Sequence, residues 1–264
     1  MLPSAAPAAQ MSLVVPSSIG LLVPSVKTAL VLNTVLIGAV AVKGQKALTQ
    51  AGLFHAWILG TILWSTLGGA GWALCVIYLV CGVGVTKVGK AEKEALGIAE
   101  GRGGMRGPEN LWGSAAAGAL CALAAPYFPM SAMTLQVGYV ASLATKLSDT
   151  CASEIGKAYG RTTYLITTLR PVPKGTEGAV SLEGTLAGVV GSVIIALAGW
   201  QLRLCGPLGV ALSVFAALVA TTCESLIGAT VQGKVKWLTN ELVNFINTAI
   251  GATLAIALRI AILG

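Results

Sequence analysis

Long apolar runs separated by short polar or glycine-rich segments dominate this chain. Most of them approach the roughly 20 residues that an α-helix needs to cross a bilayer. The pattern predicts eight spans, at residues 28–43, 53–67, 70–87, 111–126, 135–158, 181–201, 207–230 and 240–262. The second and third spans meet at the sequence GGAG (residues 68–71), which fits either a tight hairpin or a break in one long helix.

Composition supports the same class of protein. Hydrophobic residues form 55% of the 264 residues and charged residues only 10%, whereas a soluble domain has about 25% charged residues. We therefore expect an all-α, polytopic integral membrane bundle of about seven or eight transmembrane helices, with one catalytic domain over residues 27–264. Residues 1–26 are rich in Ala, Pro and Ser and lack acidic side chains, which predicts a disordered tail or a transit-peptide remnant.

The net charge of +7 is explained mainly by the predicted topology. In the eight-span arrangement most Lys and Arg residues fall in alternate loops on one side, and only Lys27, Arg203 and Arg259 fall on the other. By the positive-inside rule the basic side faces the cytosol or an equivalent compartment such as a stroma. We therefore expect a lipid bilayer as partner and no nucleic acid.

Histidine and thiolate chemistry have little support in the sequence. His55 is the only histidine, and the six cysteines lie in or beside apolar segments without a Cys-x-x-Cys motif. The cysteines are interpreted as small buried hydrophobic residues. A zinc enzyme or a histidine-dependent hydrolase is not expected.

Ionisable residues within the fifth span are the strongest functional signal. Such side chains are costly at membrane depth and usually face a polar cavity. At about 100° per residue, Lys146, Asp149, Ser153 and Lys157 share one helix face, and Glu154 projects to its flank. Carboxylates in this arrangement can hold Mg²⁺ together with substrate phosphates and water. A Lys–Asp pair that only joins helices is the alternative.

The loop at residues 167–178 and the start of the sixth span contain a second polar set. Glycine amides, hydroxyl groups and cations near a helix N-terminus are suited to binding anions. The candidates for phosphate or nucleotide binding are Arg170, Lys174, Gly175, Thr176, Glu177 and Ser181. Glu183 lies one turn inside the predicted sixth span and is a further candidate catalytic carboxylate. An ordinary interfacial loop is the alternative.

Two further groups of residues are candidates for the same site. The glycine-rich loop at residues 97–107 carries Arg102 and Arg106, and its amides and arginines could cradle a triphosphate. It matches neither a P-loop nor a dinucleotide-binding motif, so a flexible basic linker fits almost as well. On the last two spans, polar side chains either line the cavity or join helices. They are Glu224, Asn240, Glu241 and Asn244.

Several of these segments resemble one known family, the phytyl-phosphate kinases of vitamin E biosynthesis. The resemblance is carried by LSDTCASEIGKAYG (147–160) and TYLITTLRPVPKGTEGAVSLEGTLAG (163–188). It extends to KVGKAEKEALGIAEGRGGMRGPENLWGS (87–114), CESL (223–226) and NELVN (240–244). The segment SLEGT (181–185) is also similar to one in the wider CTP-dependent polyprenol and phytol kinases.

The resemblance implies transfer of the γ-phosphoryl group of a nucleoside triphosphate, CTP above all, to an isoprenoid monophosphate. Phytyl phosphate would become phytyl diphosphate for tocopherol and phylloquinone synthesis. Because this acceptor is already anionic, catalysis needs mainly alignment and charge neutralisation. The predicted ligands of Mg²⁺ are Asp149 and Glu154, with Glu183 or Glu177, and the predicted phosphate contacts are Lys146, Arg170 and Lys174.

The same resemblance implies a location. We expect a chloroplast envelope or thylakoid membrane in a plant or alga, and otherwise a cyanobacterial membrane. The basic loops would face the stroma or cytosol, and a homo-oligomer is compatible with the sequence.

Two other functions remain compatible with these residues. A phytol or polyprenol kinase would need one carboxylate as a base, because its acceptor is an alcohol. A transporter or lipid scramblase would use the polar residues to line a pathway. Inverted repeats with matching helix breaks would favour transport, and the sequence offers one candidate break, at residues 68–71.

Overall fold

The computed structural model describes residues 26–43, 48–99, 105–232, 234–235 and 237–263. Within them the apolar runs form helices, since backbone groups in hydrocarbon need hydrogen-bond partners from their own segment. The helices are α1 (Val26–Val42), α2 (Gln50–Thr86), α3 (Lys90–Ala95), α4 (Pro108–Ala124), α5 (Ala132–Tyr159), α6 (Leu182–Gln201), α7 (Pro207–Thr230) and α8 (Asn240–Leu263). A 3₁₀ turn at Pro129–Ser131 precedes α5. Residues 1–25 of the predicted tail and the candidate Arg102 lie outside the described residues.

These helices confirm the predicted all-α membrane bundle. By length and composition, α2, α6, α7 and α8 can each cross a membrane. The bounds of α6, α7 and α8 agree with the predicted spans to within one residue at each end. The agreement follows from apolar length, which the bilayer fixes.

The chain reverses within α2, at the glycine-rich junction of the second and third predicted spans. Gly68 has φ 68°, a conformation that favours glycine. The Thr49 N–H donates to the Arg106 carbonyl at 3.1 Å, and the Arg106 guanidinium donates to the Tyr78 hydroxyl at 2.8 Å. A straight helix would separate residues 49 and 78 by roughly 43 Å. Of the two arrangements that the sequence left open, the structure therefore shows the hairpin.

Helix α5 is the centre of the bundle and packs against α2, α4, α6, α7 and α8. Every residue from 137 to 148 is buried. The backbones of α5 and α6 approach closely at glycines, as in other membrane helix pairs; a Cβ at Gly184 would lie 2.6 Å from the Ala152 carbonyl oxygen. Polar groups on α5 are therefore withdrawn from lipid and face neighbouring helices or an internal cavity.

The described parts of the loops that follow α3 and α5 lie together beside the end of α7. The loop after α5 forms a short antiparallel pair, β1 (Tyr164–Leu165) and β2 (Ala179–Val180). Gly178, with φ 74°, packs on α7, where a Cβ would lie 2.6 Å from the Ser225 carbonyl oxygen. Ile98 packs against Gly175, which joins this loop to the segment after α3. The compartment that these loops face stays a prediction.

Candidate functional site

A cavity of about 750 Å³ extends into the bundle from the end that carries the basic loops. Helices α4 to α8 form its walls, and residues 97–99, 105–106, 163, 166 and 175–181 surround its mouth. A concave site with convergent polar groups is the expected form of a small-molecule site. The candidate residues along it are Arg106, Lys146, Asp149, Ser153, Gly175, Thr176, Glu177, Ser181, Glu224, Asn240, Glu241 and Asn244.

Lys146 is the centre of the polar cluster deep in the cavity. Its Nζ donates to Asp149 Oδ2 at 2.5 Å and to Asn244 Oδ1 at 2.6 Å. The Glu224 carboxyl group of α7 lines the same cavity near Asp149 and accepts from Asn247. One ammonium group thus neighbours two carboxyl groups in a setting where an uncompensated charge is costly. The cluster is suited to bind an additional cation.

The donor set fits a metal that is shared with a substrate. Within the described residues, no three His, Cys, Asp or Glu side chains converge on one point. Asp149 and Glu224 supply two carboxylates, and Mg²⁺ commonly uses one or two carboxylates, with phosphate oxygens and water completing its shell. An all-protein metal cage does not fit these residues, whereas Mg²⁺ held partly by a nucleotide does.

Glu154, a predicted Mg²⁺ ligand, does not line this cavity. It forms an ion pair with Lys93 of α3, and the two side chains are only 2% and 1% exposed. Lys93 also donates to the Thr86 carbonyl at 2.8 Å. Glu154 follows Asp149 by five residues, which turns its side chain about 140° around the helix. The structure thus separates the two predicted ligands, and the carboxylate beside Asp149 is Glu224.

The start of α6 forms one side of the cavity. Ser181 is the N-cap residue, and its hydroxyl accepts from the Gly184 N–H at 3.1 Å. Ser181 and Gly184 both line the cavity, so the positive end of the helix dipole is directed toward it. Phosphate groups are favoured at such a position.

Three other predicted residues lie outside the cavity lining. The Glu183 carboxylate is 4.0 Å from the guanidinium of Arg161, an exposed residue. The Lys174 ammonium donates to the Ala158 carbonyl at 3.3 Å, and Arg170 is exposed on the loop. The structure does not bring these three residues to the polar cluster.

Asn110 and Ser114 of α4 line the cavity but were missed in the sequence. Asn110 donates to Glu241 at 3.2 Å and so links α4 to α8 beside the polar cluster. The missed signal was the i, i+4 spacing of two polar residues on a helix otherwise rich in Ala and Gly.

The fold and this cavity define a polytopic helical membrane protein with a polar site buried among its helices. The chain belongs to the family described as integral membrane protein DUF92, whose model matches residues 32–252. The family relationship inferred from the sequence motifs is confirmed. No solved structure matches the chain significantly.

Three relatives show how widely the family is distributed. An uncharacterized membrane protein of Synechocystis is 53% identical over 88% of this chain and 90% of its own length. Protein VTE6, chloroplastic, of Arabidopsis thaliana is 47% identical over 80% of this chain, and the match spans 65% of that relative. An uncharacterized membrane protein of Methanocaldococcus jannaschii is 32% identical over 83% of this chain and 88% of its own length.

Proposed function

We propose that this protein is a prenyl-phosphate kinase that converts phytyl phosphate to phytyl diphosphate with a nucleoside triphosphate, preferably CTP. The observation that carries the proposal is the cluster of Lys146, Asp149 and Glu224 deep in a cavity open to the basic loops. The 47% identity to protein VTE6, together with the resemblance of the motifs to phytyl-phosphate kinases, supports the reaction type and a role in tocopherol synthesis.

The reaction matches the chemistry of the cavity. An oxygen of the acceptor phosphate attacks the γ-phosphorus, and the bond from that phosphorus to the β–γ bridging oxygen breaks. A nucleoside diphosphate leaves, and the lipid gains a P–O–P linkage. The attacking oxygen is already an anion, so positioning and electrostatic stabilisation supply most of the catalysis.

Each part of the cavity has a role in this scheme. Lys146 offsets phosphate charge from its fixed position between Asp149 and Asn244. The N-terminus of α6 at Ser181 orients a phosphate through its amide groups. Asp149 and Glu224 would hold Mg²⁺, which supplies further neutralisation of the phosphate oxygens when bound.

The relatives support a proposal for the location. A chloroplastic relative and a cyanobacterial membrane relative support a plastid or cyanobacterial membrane. The basic end of the bundle, where the cavity opens, would face the stroma or cytosol and receive the nucleotide.

The test is a phosphoryl-transfer assay with purified protein in lipid nanodiscs. Phytyl phosphate and phytol are each incubated with Mg²⁺ and one γ-labelled nucleoside triphosphate, and the lipid products are separated. Label in phytyl diphosphate, fastest with CTP, is the expected result. Label in phytyl phosphate made from phytol would show an alcohol kinase instead. Folded protein that labels neither lipid would contradict the proposal.

A further inference from the structure

We propose that the hydrocarbon tail of the acceptor leaves the cavity sideways, between α6 and α7, and lies in lipid. This inference rests on the proposed function, because it assigns a place to the lipid part of the acceptor. The α6/α7 seam is defined by residues of both helices that line the cavity, Gly184, Thr185 and Gly188 on α6 and Leu218, Thr221 and Thr222 on α7.

The cavity reaches the outer surface of the bundle at this seam. Thr185 and Thr222 both line the cavity, and both are exposed. The exposed residues beside them are large and apolar; Leu186 on α6 is 57% exposed and Phe215 on α7 is 53% exposed. An apolar outer surface of this kind on membrane helices faces lipid. The opening at the seam is therefore an opening toward lipid.

The hydroxyls of the two exposed seam threonines donate within their own helices. The Thr185 hydroxyl donates to the Ser181 carbonyl at 2.9 Å, and the Thr222 hydroxyl donates to the Leu218 carbonyl at 2.8 Å. These bonds satisfy the hydroxyl protons within each helix. The seam therefore carries no charged side chain among its six defining residues, and it begins beside the charged cluster.

Glycine at position 188 lets α6 pack closely on α5 at the inner side of the seam. A Cβ there would lie 3.1 Å from the Ser148 carbonyl oxygen, so α6 rests directly on α5. Ser148 and Ala152 of α5 then form the floor of the seam. The arrangement fits an amphiphile that has an anionic head at Lys146 and one flexible hydrocarbon chain.

An apolar groove on α8 is the alternative place for the hydrocarbon tail. It lies on α8 alone, along Phe245, Ile250 and Leu254, and shares no lining residue with the cavity. A tail in that groove would have no continuous route to the charged cluster. Continuity with the cavity therefore favours the α6/α7 seam.

Photolabelling tests the location without requiring turnover. A prenyl monophosphate with a diazirine in mid-chain is irradiated with the protein in nanodiscs, and labelled peptides are identified by mass spectrometry. Label on residues 185–188 and 218–222 that unlabelled phytyl phosphate competes away is the expected result. Label confined to α8 near Ile250, or label that competitor does not reduce, would overturn the inference.

Paired variants test the same point by activity. Thr222→Trp fills the seam, and Ile250→Trp places the same bulk in the α8 groove. We expect Thr222→Trp to lower kcat/KM for phytyl phosphate about tenfold, and to change kcat/KM for a five-carbon prenyl monophosphate less than about twofold. Ile250→Trp should leave both values near those of the parent protein.

The outcomes separate this inference from the proposed function. A parent protein that phosphorylates neither acceptor contradicts the proposed function itself. An active parent whose long-chain kcat/KM is unchanged in Thr222→Trp contradicts only the seam. A loss in Ile250→Trp alone would assign the tail to α8, and equal losses for both acceptors in Thr222→Trp would show damage to the cavity rather than to the tail path.

Discussion

Helix α5 carries two carboxylates in ion pairs, and their surroundings differ. Asp149 pairs with Lys146 at 2.5 Å and lines the cavity, with 17% of its side chain exposed. Glu154 pairs with Lys93 of α3 and is 2% exposed, outside the cavity lining. Both violate the apolar pattern of the same span. The comparison shows that an ionisable residue within a membrane helix marks a charge that needs compensation, and only its surroundings decide whether a ligand can supply it.

The two carboxylates also differ in the number of charged groups that surround them. At Asp149, one lysine serves two carboxyl groups, since Glu224 lies beside it. At Glu154, one carboxylate has both Lys93 and, at 3.6 Å, Lys157. The first site brings two carboxyl groups together beside one ammonium, an arrangement that a bound cation would stabilise. The second pair is complete and fastens α3, and the loop that follows it, to α5.

Breaking the Lys93–Glu154 ion pair should have the largest effect, and the effect should be on stability. Glu154→Gln leaves the Lys93 ammonium buried without its partner, which we expect to lower the free energy of unfolding by about 3–5 kcal/mol. Titration with SDS, followed by tryptophan fluorescence, measures the change. The double variant Lys93→Met/Glu154→Leu removes both charges and should recover most of the stability.

The turnover of Glu154→Gln is the second measurement on this variant. The folded fraction of Glu154→Gln should turn over within a few-fold of the parent protein. A variant that is as stable as the parent but inactive would contradict a purely structural role and support Glu154 as a metal ligand.

Asp149→Asn should have the next largest effect, and on turnover. Asp149 would help to hold the Mg²⁺ that neutralises the phosphate oxygens. Without this carboxylate we expect kcat to fall by roughly 10²–10³-fold. Stability should fall by less than in Glu154→Gln, because the Glu224 carboxyl group remains near the Lys146 ammonium. Phosphoryl transfer with labelled nucleotide and the same SDS titration give both values. Near-normal kcat in folded protein would exclude Asp149 from the site.

Glu224→Gln should raise the Mg²⁺ concentration that activity requires. We expect the Mg²⁺ concentration at half-maximal activity to rise about tenfold, because one of two carboxylate ligands is lost. The double variant Lys93→Met/Glu154→Leu is the matched control and should retain the parent Mg²⁺ dependence. An unchanged Mg²⁺ dependence in Glu224→Gln would contradict the assignment of Glu224 as a ligand.

Glu183→Gln should have the smallest effect. Its partner Arg161 has a side chain that is 93% exposed and lies 4.0 Å away. Exposed ion pairs of this kind contribute about 0–1 kcal/mol to stability. We expect kcat, KM and the unfolding midpoint all to stay close to the parent values. A loss of turnover comparable to that of Asp149→Asn would place Glu183 at the reacting groups despite its outward position.

Much of the fold was predictable because membrane thickness sets helix length. The predicted spans 207–230 and 240–262 match α7 and α8 closely. The junction at residues 68–71 was left open because glycine is compatible with both a break and a reversal. Contacts of Arg106 with Thr49 and Tyr78, which are distant in sequence, decided it.

The sequence by itself determined the membrane class, the helix lengths and the stripe of Lys146, Asp149, Ser153 and Lys157 on one face of α5. These properties follow from composition and from the 3.6-residue period of a single helix. Tertiary structure alone decided which carboxylates meet. Glu224 comes from α7 and Lys93 from α3, and helix packing brought the first to Asp149 and the second to Glu154. A one-dimensional pattern fixes the direction of a side chain on its helix, but the identity of its partner depends on how the helices are packed.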